Sequence, residues 1–442
     1  MIKRIRRAGL FACGILLALS STLQGETISE AVDQVIQTNP QVRSQIHTRL
    51  ARDQEVVQAK AGYYPTIDGY GAAGWAEHQE PEVESLNPYE AGFELRQNVF
   101  RGFATMGEVA RQEARVDSAA YRVRGTAEDL ALEAARVYIN VLSKQELKMI
   151  AEENLEIHLR IADQIKLRGD SGVGSQADTE QIQGRLALAQ SNVVIAETNL
   201  RDAQTEYLAV VGQLPGDLIP PVPPDDLMPP SLEDATLSAI SMNPILQSAG
   251  SDLEAREEQY EVSKAAYYPV LDIELDQRWD DEISRTEGKR DYWTALGRVR
   301  YNFFNGFADQ ARKAETLELV SEAREAKNTT ERQVVESMRL SWMAYMSVLD
   351  RIEYLENYIE SSSATAQAYA KQFDIGKRSL LDVLDAEAEA ISARADLIEA
   401  VNNGLYAQYR ILNATGSLVS AFGLEWPEEA VIEDEEEQAE NG

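Results

Sequence analysis

The chain has 442 residues, with 42 Lys and Arg against 74 Asp and Glu, and a formal net charge of −32 at pH 7. This excess of acid argues against nucleic acid as a partner, because the phosphates would be repelled. Its one cysteine is Cys13. A chain cleaved beyond that residue has no thiol, which excludes disulfides, cysteine catalysis and zinc–thiolate sites.

The N-terminal 25 residues have the layout of a secretory signal peptide. A basic start is followed by an apolar stretch over residues 8–19 and by a small, polar end, so we place cleavage near Gly25. The apolar stretch is shorter than the ~20 residues that a membrane-spanning helix needs. A lipidated Cys13 is an alternative, but a lipid-attachment motif should end the apolar run, which here continues beyond it. We therefore predict a signal peptide over 1–25.

The rest of the chain repeats itself with one constant offset. Tyr63-Tyr64-Pro65 returns as Tyr267-Tyr268-Pro269, so the offset is 204 residues, the difference between 269 and 65. The same offset relates six further pairs of landmarks: Asn39-Pro40 and Asn243-Pro244, Trp75 and Trp279, Phe100 and Phe304, Gly172 and Gly376, Asp178 and Asp382, Gly212 and Gly416. A repeat this long indicates a duplicated domain, which we place at 26–214 and 231–420.

Two segments fall outside the repeats. Seven of the 14 prolines lie within residues 215–230, which predicts a stiff, extended linker. The C-terminal residues 421–442 end in a run of acidic side chains. Such a run is typical of a solvated, disordered terminus.

Each repeat has the same predicted order of helix, strand pair, very long helix, glycine break and final helix. An Asn-Pro pair kinks or restarts the first helix. About 65 helical residues would span roughly 100 Å, more than the diameter of a compact domain, so these helices should pack side by side as coiled coils. The helices that we predict, paired by the offset, are 28–62 and 232–266, 104–168 and 308–372, and 176–211 and 380–415.

The strands alternate between apolar and polar residues. In the second repeat, Leu271, Ile273 and Leu275 are apolar, whereas Asp272 and Glu274 between them are charged. A period of two places each set on its own face, and the apolar face would suit lipid while the charged face would suit a wet interior. The predicted strands are 66–75, 89–100, 270–279 and 293–304.

Four aromatic residues lie toward the loop end of these strands, where an aromatic girdle is typical of a membrane barrel: Trp75, Tyr89, Trp279 and Trp293. A soluble sheet with one face on a core is the alternative. Four strands are too few for a closed barrel, which needs about eight or more. Several chains must therefore each contribute four strands, because an open sheet edge cannot lie in lipid.

No constellation of residues indicates an enzyme, a cofactor or a structural metal. His47, His78 and His158 lack the spacing of metal ligands, and the glycine motifs that bind nucleotides are missing. The run 169–172 looks like a serine-protease signature, but the second repeat has Phe373-Asp374-Ile375-Gly376 at the matching positions. A turn between two helices explains these glycines better.

In their order along the chain, these motifs resemble the TolC-like outer-membrane efflux and secretion channels. The resemblance covers the duplication, the Asn-Pro and Tyr-Tyr-Pro motifs, and the stretches 301–306 and 373–386. It implies a mainly α-helical fold with a transmembrane β part, in the outer membrane of a Gram-negative bacterium. Three chains would form a homotrimer whose barrel of about twelve strands continues as an α-helical tunnel across the periplasm.

The resemblance also implies roles at the periplasmic mouth of the tunnel. Asp382 and Asp385 match aspartates that constrict the pore and bind cations, and their spacing places both on one helix face. An ordinary solvated helix face is the alternative. Arg378 matches a gate arginine and Asp178 matches its partner, and opening would require the helix pair around 340–416 to unwind from its neighbours. Phe373 stands where a gate tyrosine is found and cannot donate that hydrogen bond.

Two turns match the tips on which adaptor hairpins dock, and their residues are Gly172, Val173, Gly174, Gly376 and Lys377. Val173 fits that motif loosely. The stretches 369–373 and 407–412 look more like type I secretion components than like drug-efflux channels. The implied partners are a periplasmic membrane-fusion adaptor and an inner-membrane ABC transporter. One alternative is a drug-efflux channel working with a resistance-nodulation-division pump. The alternative of another class, a periplasmic coiled-coil adaptor, leaves the repeated strand pairs unexplained.

Overall fold

A computed structural model describes residues 25–78, 84–171, 175–281 and 288–432. Its helices are α1 (Ile28–Thr38), α2 (Pro40–Lys60), α3 (Ala104–Asp170), α4 (Gln176–Val211), α5 (Leu232–Met242), α6 (Pro244–Ser263), α7 (Ala308–Asp374), α8 (Leu380–Ala414) and α9 (Leu418–Ala421). Its strands are β1 (Thr66–Ala73), β2 (Ala76–His78), β3 (Glu84–Leu86), β4 (Tyr89–Arg101), β5 (Val270–Asp281) and β6 (Arg290–Arg300). The predicted signal peptide up to residue 24 and the acidic end from residue 433 lie outside these ranges.

The helices confirm the duplication. Helices α3 and α7 both have 67 residues, and each of the helices α5 to α8 begins 204 residues after its counterpart among α1 to α4. The first predicted helix of each repeat is in fact two helices. Asn39 and Asn243 are the N-caps of α2 and α6, and each side chain accepts a hydrogen bond from the following turn. The proline after each cap suits the first helical position, where no donor is required.

One four-stranded antiparallel sheet joins the two repeats, with the strand order β1-β4-β5-β6. The central pairing is therefore between β4 of the first repeat and β5 of the second. Strands β1 and β6 are the two edges, and β1 is exposed along its whole length, as β6 is at all but one residue. Among the described residues, no strand of this chain pairs with the outer side of β1 or of β6.

Three strand predictions needed correction. The segment 76–88, which lies between two predicted strands, contains the paired short strands β2 and β3, and β5 extends to Asp281 rather than 279. Strand β6 covers Arg290–Arg300 rather than 293–304, because the chain turns where the Asn302 side chain accepts a hydrogen bond from the backbone N–H of Phe304 at 3.0 Å. Strand β4 also has an irregular register between Asn98 and Phe100, which brings Phe100 opposite Leu271.

The long helices pack laterally into two hairpins. Helix α3 pairs with α4 to form the first hairpin, and α7 pairs with α8 to form the second. Helices α2, α3, α6 and α7 lie side by side next to the sheet, and α3 meets α8 further away from it. No helix in the described ranges is both long and apolar enough to cross a membrane.

The largest buried core lies midway along the long helices, and we call it the waist cluster. Small side chains of α3 let the helices approach closely around two tyrosines. Its fully buried members are Ala31, Val32, Val35, Ala127, Ala131, Ala134, Ala135, Val137, Tyr138, Val141, Tyr207, Leu418 and Val419. Helices α1, α3, α4 and α9 are thus held together at one level of the molecule.

Candidate channel wall and mouth

One face of the sheet is a lattice of opposite charges. Arg298 pairs with Glu274 at 2.6 Å, and Arg300 pairs with Asp272 at 2.5 Å across the same two strands. Asp280 near the loop end is buried between Arg278 and Arg290. The arginine side chains cover these carboxylates and are themselves about half exposed, so this face presents charge to water and suits an aqueous interior, as its alternation predicts.

The opposite face of the sheet is apolar, and within the described part of a single chain nothing covers the side chains named here. Ile67, Ile273 and Val299 are exposed, as is Phe93, whose ring meets that of Trp279 edge to face at 6.1 Å. The four predicted girdle residues are also exposed and lie at the loop end of the sheet: Trp75, Tyr89, Trp279 and Trp293. Such a face is compatible with lipid, and the girdle itself stays a prediction.

A second aromatic group lies where the sheet meets the helices, and sequence reasoning missed it. Phe103 and Phe307 precede α3 and α7 with φ angles of 67° and 68°, a left-handed conformation that is unusual for bulky residues. Phe303 is 91% exposed and its ring meets that of Tyr301 at 4.9 Å, while the Tyr268 ring meets that of Phe103 at 5.8 Å. The recurrence of Phe-x-Gly-Phe in both repeats was the signal that could have revealed this group.

At the far end of the hairpins, a small apolar core surrounds Phe373, and we call it the tip cluster. Its buried members come from all four long helices: Ile165, Ile182, Phe373, Leu380, Val383 and Leu384. The Arg168 guanidinium of α3 lies over the Phe373 ring at 4.3 Å from its centroid. Phe373 therefore acts through its ring face, which needs no hydroxyl group.

Arg378 makes its contacts within the second hairpin. Its guanidinium lies 4.1 Å from the centre of the Tyr369 ring, its Nε donates to the Gln372 side chain at 3.1 Å, and it lies 3.8 Å from the Asp382 carboxylate. Asp178 lies in the first turn of α4 and is half-exposed. In the part of the chain that the structure describes, Arg378 and Asp178 are not in contact.

Asp382 is a capping residue of α8. Its carboxylate accepts hydrogen bonds from the Ser379 hydroxyl at 2.8 Å and from the Ser379 backbone N–H at 3.2 Å, which completes a capping box. These two hydrogen bonds, and then the nearby Arg378 charge, lower the pKa of Asp382 below its usual range. The carboxylate is therefore ionised at neutral pH, and its side chain is 40% exposed.

Asp385, one turn further along α8, is paired with a residue that the sequence did not indicate. Arg185 of α4 donates to the Asp385 carboxylate at 2.8 Å.

Of the predicted docking residues, Gly376 has a φ of 72° and follows the end of α7, while Lys377 is exposed. The other three predicted docking residues, Gly172, Val173 and Gly174, lie outside the described residues. Among those described, no group of three or more metal-binding side chains occurs, and cation block at the mouth stays a prediction.

The fold and these surfaces define a membrane channel of long helices with a small sheet. A model of the outer membrane efflux protein family matches residues 31–213 and 237–417. The chain belongs to that family, and it is an outer-membrane protein whose helical part lies in the periplasm. The predicted resemblance to TolC-like channels is thereby confirmed.

Several known proteins are similar along nearly their whole length. The chain is 22% identical to the outer membrane efflux protein BepC of Brucella suis, over 95% of this chain and 91% of that protein. It is 23% identical to the outer membrane protein TolC of Escherichia coli, over 91% and 85%. It is 21% identical to the proteases secretion protein PrtF of Dickeya chrysanthemi, over 94% and 93%. The CmeC outer membrane channel of Campylobacter jejuni has the same fold, with a TM-score of 0.79 at 14% identity, over 100% and 97% of the two chains.

Proposed function

We propose that the protein is the outer-membrane exit duct of a type I secretion system and that it works as a homotrimer. An inner-membrane ABC transporter supplies the energy, and a periplasmic adaptor couples it to the duct. The chain itself catalyses no reaction and passively conducts the exported protein.

The observation that carries this proposal is the open sheet. Both edge strands are exposed, one face carries paired charges and the other is bare and apolar. If β6 of one chain pairs with β1 of the next, three chains close a barrel of about twelve strands with charges inside and apolar side chains toward lipid. The four girdle residues would then lie at its outer rim.

Similarity to a secretion protein favours type I secretion. PrtF, named for protease secretion, matches the chain over 94% of its length, and the stretches 369–373 and 407–412 resemble such components. The second candidate is efflux of small molecules with a resistance-nodulation-division pump, which the similarity to BepC favours. Both candidates need the same duct and differ in cargo and partners.

At the periplasmic end we propose that Asp382 and Asp385 line the constriction of the duct. Both carboxylates are exposed and lie one turn apart on α8. The adaptor would dock on the turns around Gly172–Gly174 and around Gly376 and Lys377. Arg378 and Asp178 would meet across neighbouring chains, because they do not meet within one.

Conductance in planar bilayers tests the duct. Purified trimers should form small, cation-selective channels, and a trivalent cation on the periplasmic side should block them. Asp382→Ala combined with Asp385→Ala should remove the block. Arg378→Ala combined with Asp178→Ala should raise the conductance. Well-folded trimers that conduct nothing would refute the duct and revive the coiled-coil adaptor as an explanation of the long helices.

A deletion strain separates the two candidate cargoes. If the protein serves type I secretion, the strain loses one or a few large proteins from its culture medium and keeps its tolerance of dyes and detergents. Efflux predicts the reverse. Complementation with a variant lacking residues 66–101, which cannot build the sheet, is the control that should restore neither trait.

A further inference from the structure

Besides the apolar tip cluster, two charged side chains of the first hairpin contact the second hairpin at the tip. Arg168 of α3 stacks on Phe373, donates to the Phe373 carbonyl at 3.4 Å and lies 4.0 Å from the Asp374 carboxylate. Arg185 of α4 pairs with Asp385 of α8 at 2.8 Å. Each contact must break if the second hairpin moves away from the first.

The duplication does not produce the Arg185–Asp385 pair. The positions related to Arg185 and Asp385 by the offset of 204 hold Glu389 and Gln181, which are not of opposite charge. Glu389 instead accepts a hydrogen bond from Tyr358 within its own hairpin at 2.9 Å. The pair is thus a feature of one interface and not a by-product of the repeat.

The pair also changes the charge at the constriction. In a trimer, three Asp385 carboxylates around a narrow opening would repel one another, and Arg185 places a positive charge against each. Asp382 lies at the N-terminus of α8, where its charge is balanced by the cap and by Arg378. The mouth therefore carries less net negative charge than its two aspartates alone indicate.

We propose that Arg185 is a positioning and selectivity residue of the channel mouth, in addition to the gate residues above; this inference rests on the proposed duct. Through Asp385 it holds the two hairpins together in the closed state, and it weakens the attraction of the constriction for cations. Arg378 has no such contact with the first hairpin within the described part of one chain.

Substitution of either residue of the Arg185–Asp385 pair separates the effect on channel opening from the effect on ion selectivity. Arg185→Ala and Asp385→Ala should both raise the ratio of open to closed channels by roughly ten- to a hundredfold, because a trimer loses three exposed pairs that are each worth a factor of about two to five. Their reversal potentials in a salt gradient should shift in opposite directions, toward cation selectivity for Arg185→Ala and away from it for Asp385→Ala. Trivalent cation should block Arg185→Ala at lower concentration than wild type.

Two further variants control this experiment. The exchange of charges, Arg185→Asp with Asp385→Arg, should restore the small conductance. Arg201→Ala, which removes an exposed arginine of α4 that pairs within its own helix, should behave as wild type. Wild-type conductance and reversal potential in Arg185→Ala would overturn the inference.

Hydrogen exchange on the detergent-solubilised trimer tests the Arg185–Asp385 contact without a measurement of conductance. Exchange at the ends of α4 and α8 next to the tip should be faster in Arg185→Ala than in wild type. Faster exchange in a protein that forms no channels would support the contact and refute the duct. Unchanged exchange in a protein that does form channels would refute the contact and leave the duct standing.

Discussion

The waist cluster and the tip cluster are built from the same long helices by different means. At the waist, Ala127, Ala131 and Ala134 of α3 are fully buried, and the Tyr138 hydroxyl group lies within hydrogen-bond distance of the backbone carbonyls of Glu26 and Ile219, at 2.6 and 2.8 Å. At the tip, six buried side chains are flanked by exposed ion pairs. Since buried apolar area dominates stability while exposed pairs contribute little, the waist can remain fixed while the tip opens.

Removal of a waist tyrosine should have the largest effect. Tyr138→Ala leaves a cavity and removes the hydroxyl partner of the Ile219 carbonyl, while the Glu26 carbonyl keeps the Ile219 N–H. We expect it to lower the free energy of unfolding by ~3–5 kcal/mol per chain. Tyr138→Phe keeps the ring and should cost only about 1–2 kcal/mol. Thermal unfolding followed by circular dichroism measures both. An unchanged melting temperature for Tyr138→Ala would show that the waist is not the stable part of the molecule.

Stability at the waist should depend on pH through Glu128. Burial raises the pKa of this carboxyl to about 7, although it accepts hydrogen bonds from Trp426 and from the backbone of Val419 and Leu418. The folded chain thus keeps a proton that the unfolded chain releases near 4.5. The free energy of unfolding should therefore fall as the pH rises from about 4.5 to about 7, by up to ~3 kcal/mol per chain.

Glu128→Gln isolates this effect, because it removes the titrating group. Its melting temperature should change less than that of wild type across the same pH range, while other carboxyl groups contribute equally to both proteins. The exposed Glu156→Gln should follow the wild-type profile. Parallel profiles for wild type and Glu128→Gln would contradict the assignment.

Loss of the tip ring should open the mouth and spare the waist. Phe373→Ala removes the centre of the tip cluster and the partner of Arg168, a local loss of ~2–4 kcal/mol that fraying of the tip will reduce. We expect higher conductance and faster hydrogen exchange at the ends of α3 and α7, with an unchanged melting temperature. Phe373→Tyr should retain the wild-type conductance. A lower melting temperature in Phe373→Ala would mean that tip and waist unfold together.

The smallest effect is expected at the cap of α8. Ser379→Ala removes a side-chain cap worth ~0.5–2 kcal/mol to the helix. It also removes the hydroxyl hydrogen bond, one of the two that lower the pKa of Asp382, so this pKa should rise toward its ordinary value. Cation block should then disappear at a higher pH in Ser379→Ala than in wild type, as titration of the block in bilayers would show. Identical titrations would place the blocking site away from Asp382.

The long helices were predictable to within two residues because local signals set them. A predicted helix over 176–211 is α4 to the residue, since Ser175 caps its start and Gly212, with a φ of 87°, ends it. The strand ends were less accurate. Tyr301 and Phe303 continue the alternation past the end of β6, but the Asn302 side chain turns the chain there.

The sequence by itself determined the duplication, the order of elements and the two-faced strands, because periodicity and caps act between neighbours in the chain. Only the tertiary structure decided that β4 pairs with β5 and that Arg185 pairs with Asp385. It also decided that Glu128 accepts a hydrogen bond from the backbone N–H of Leu418. The last two contacts join residues 200 and 290 positions apart. Partners at such distances are chosen by how the helices pack, which no local pattern records.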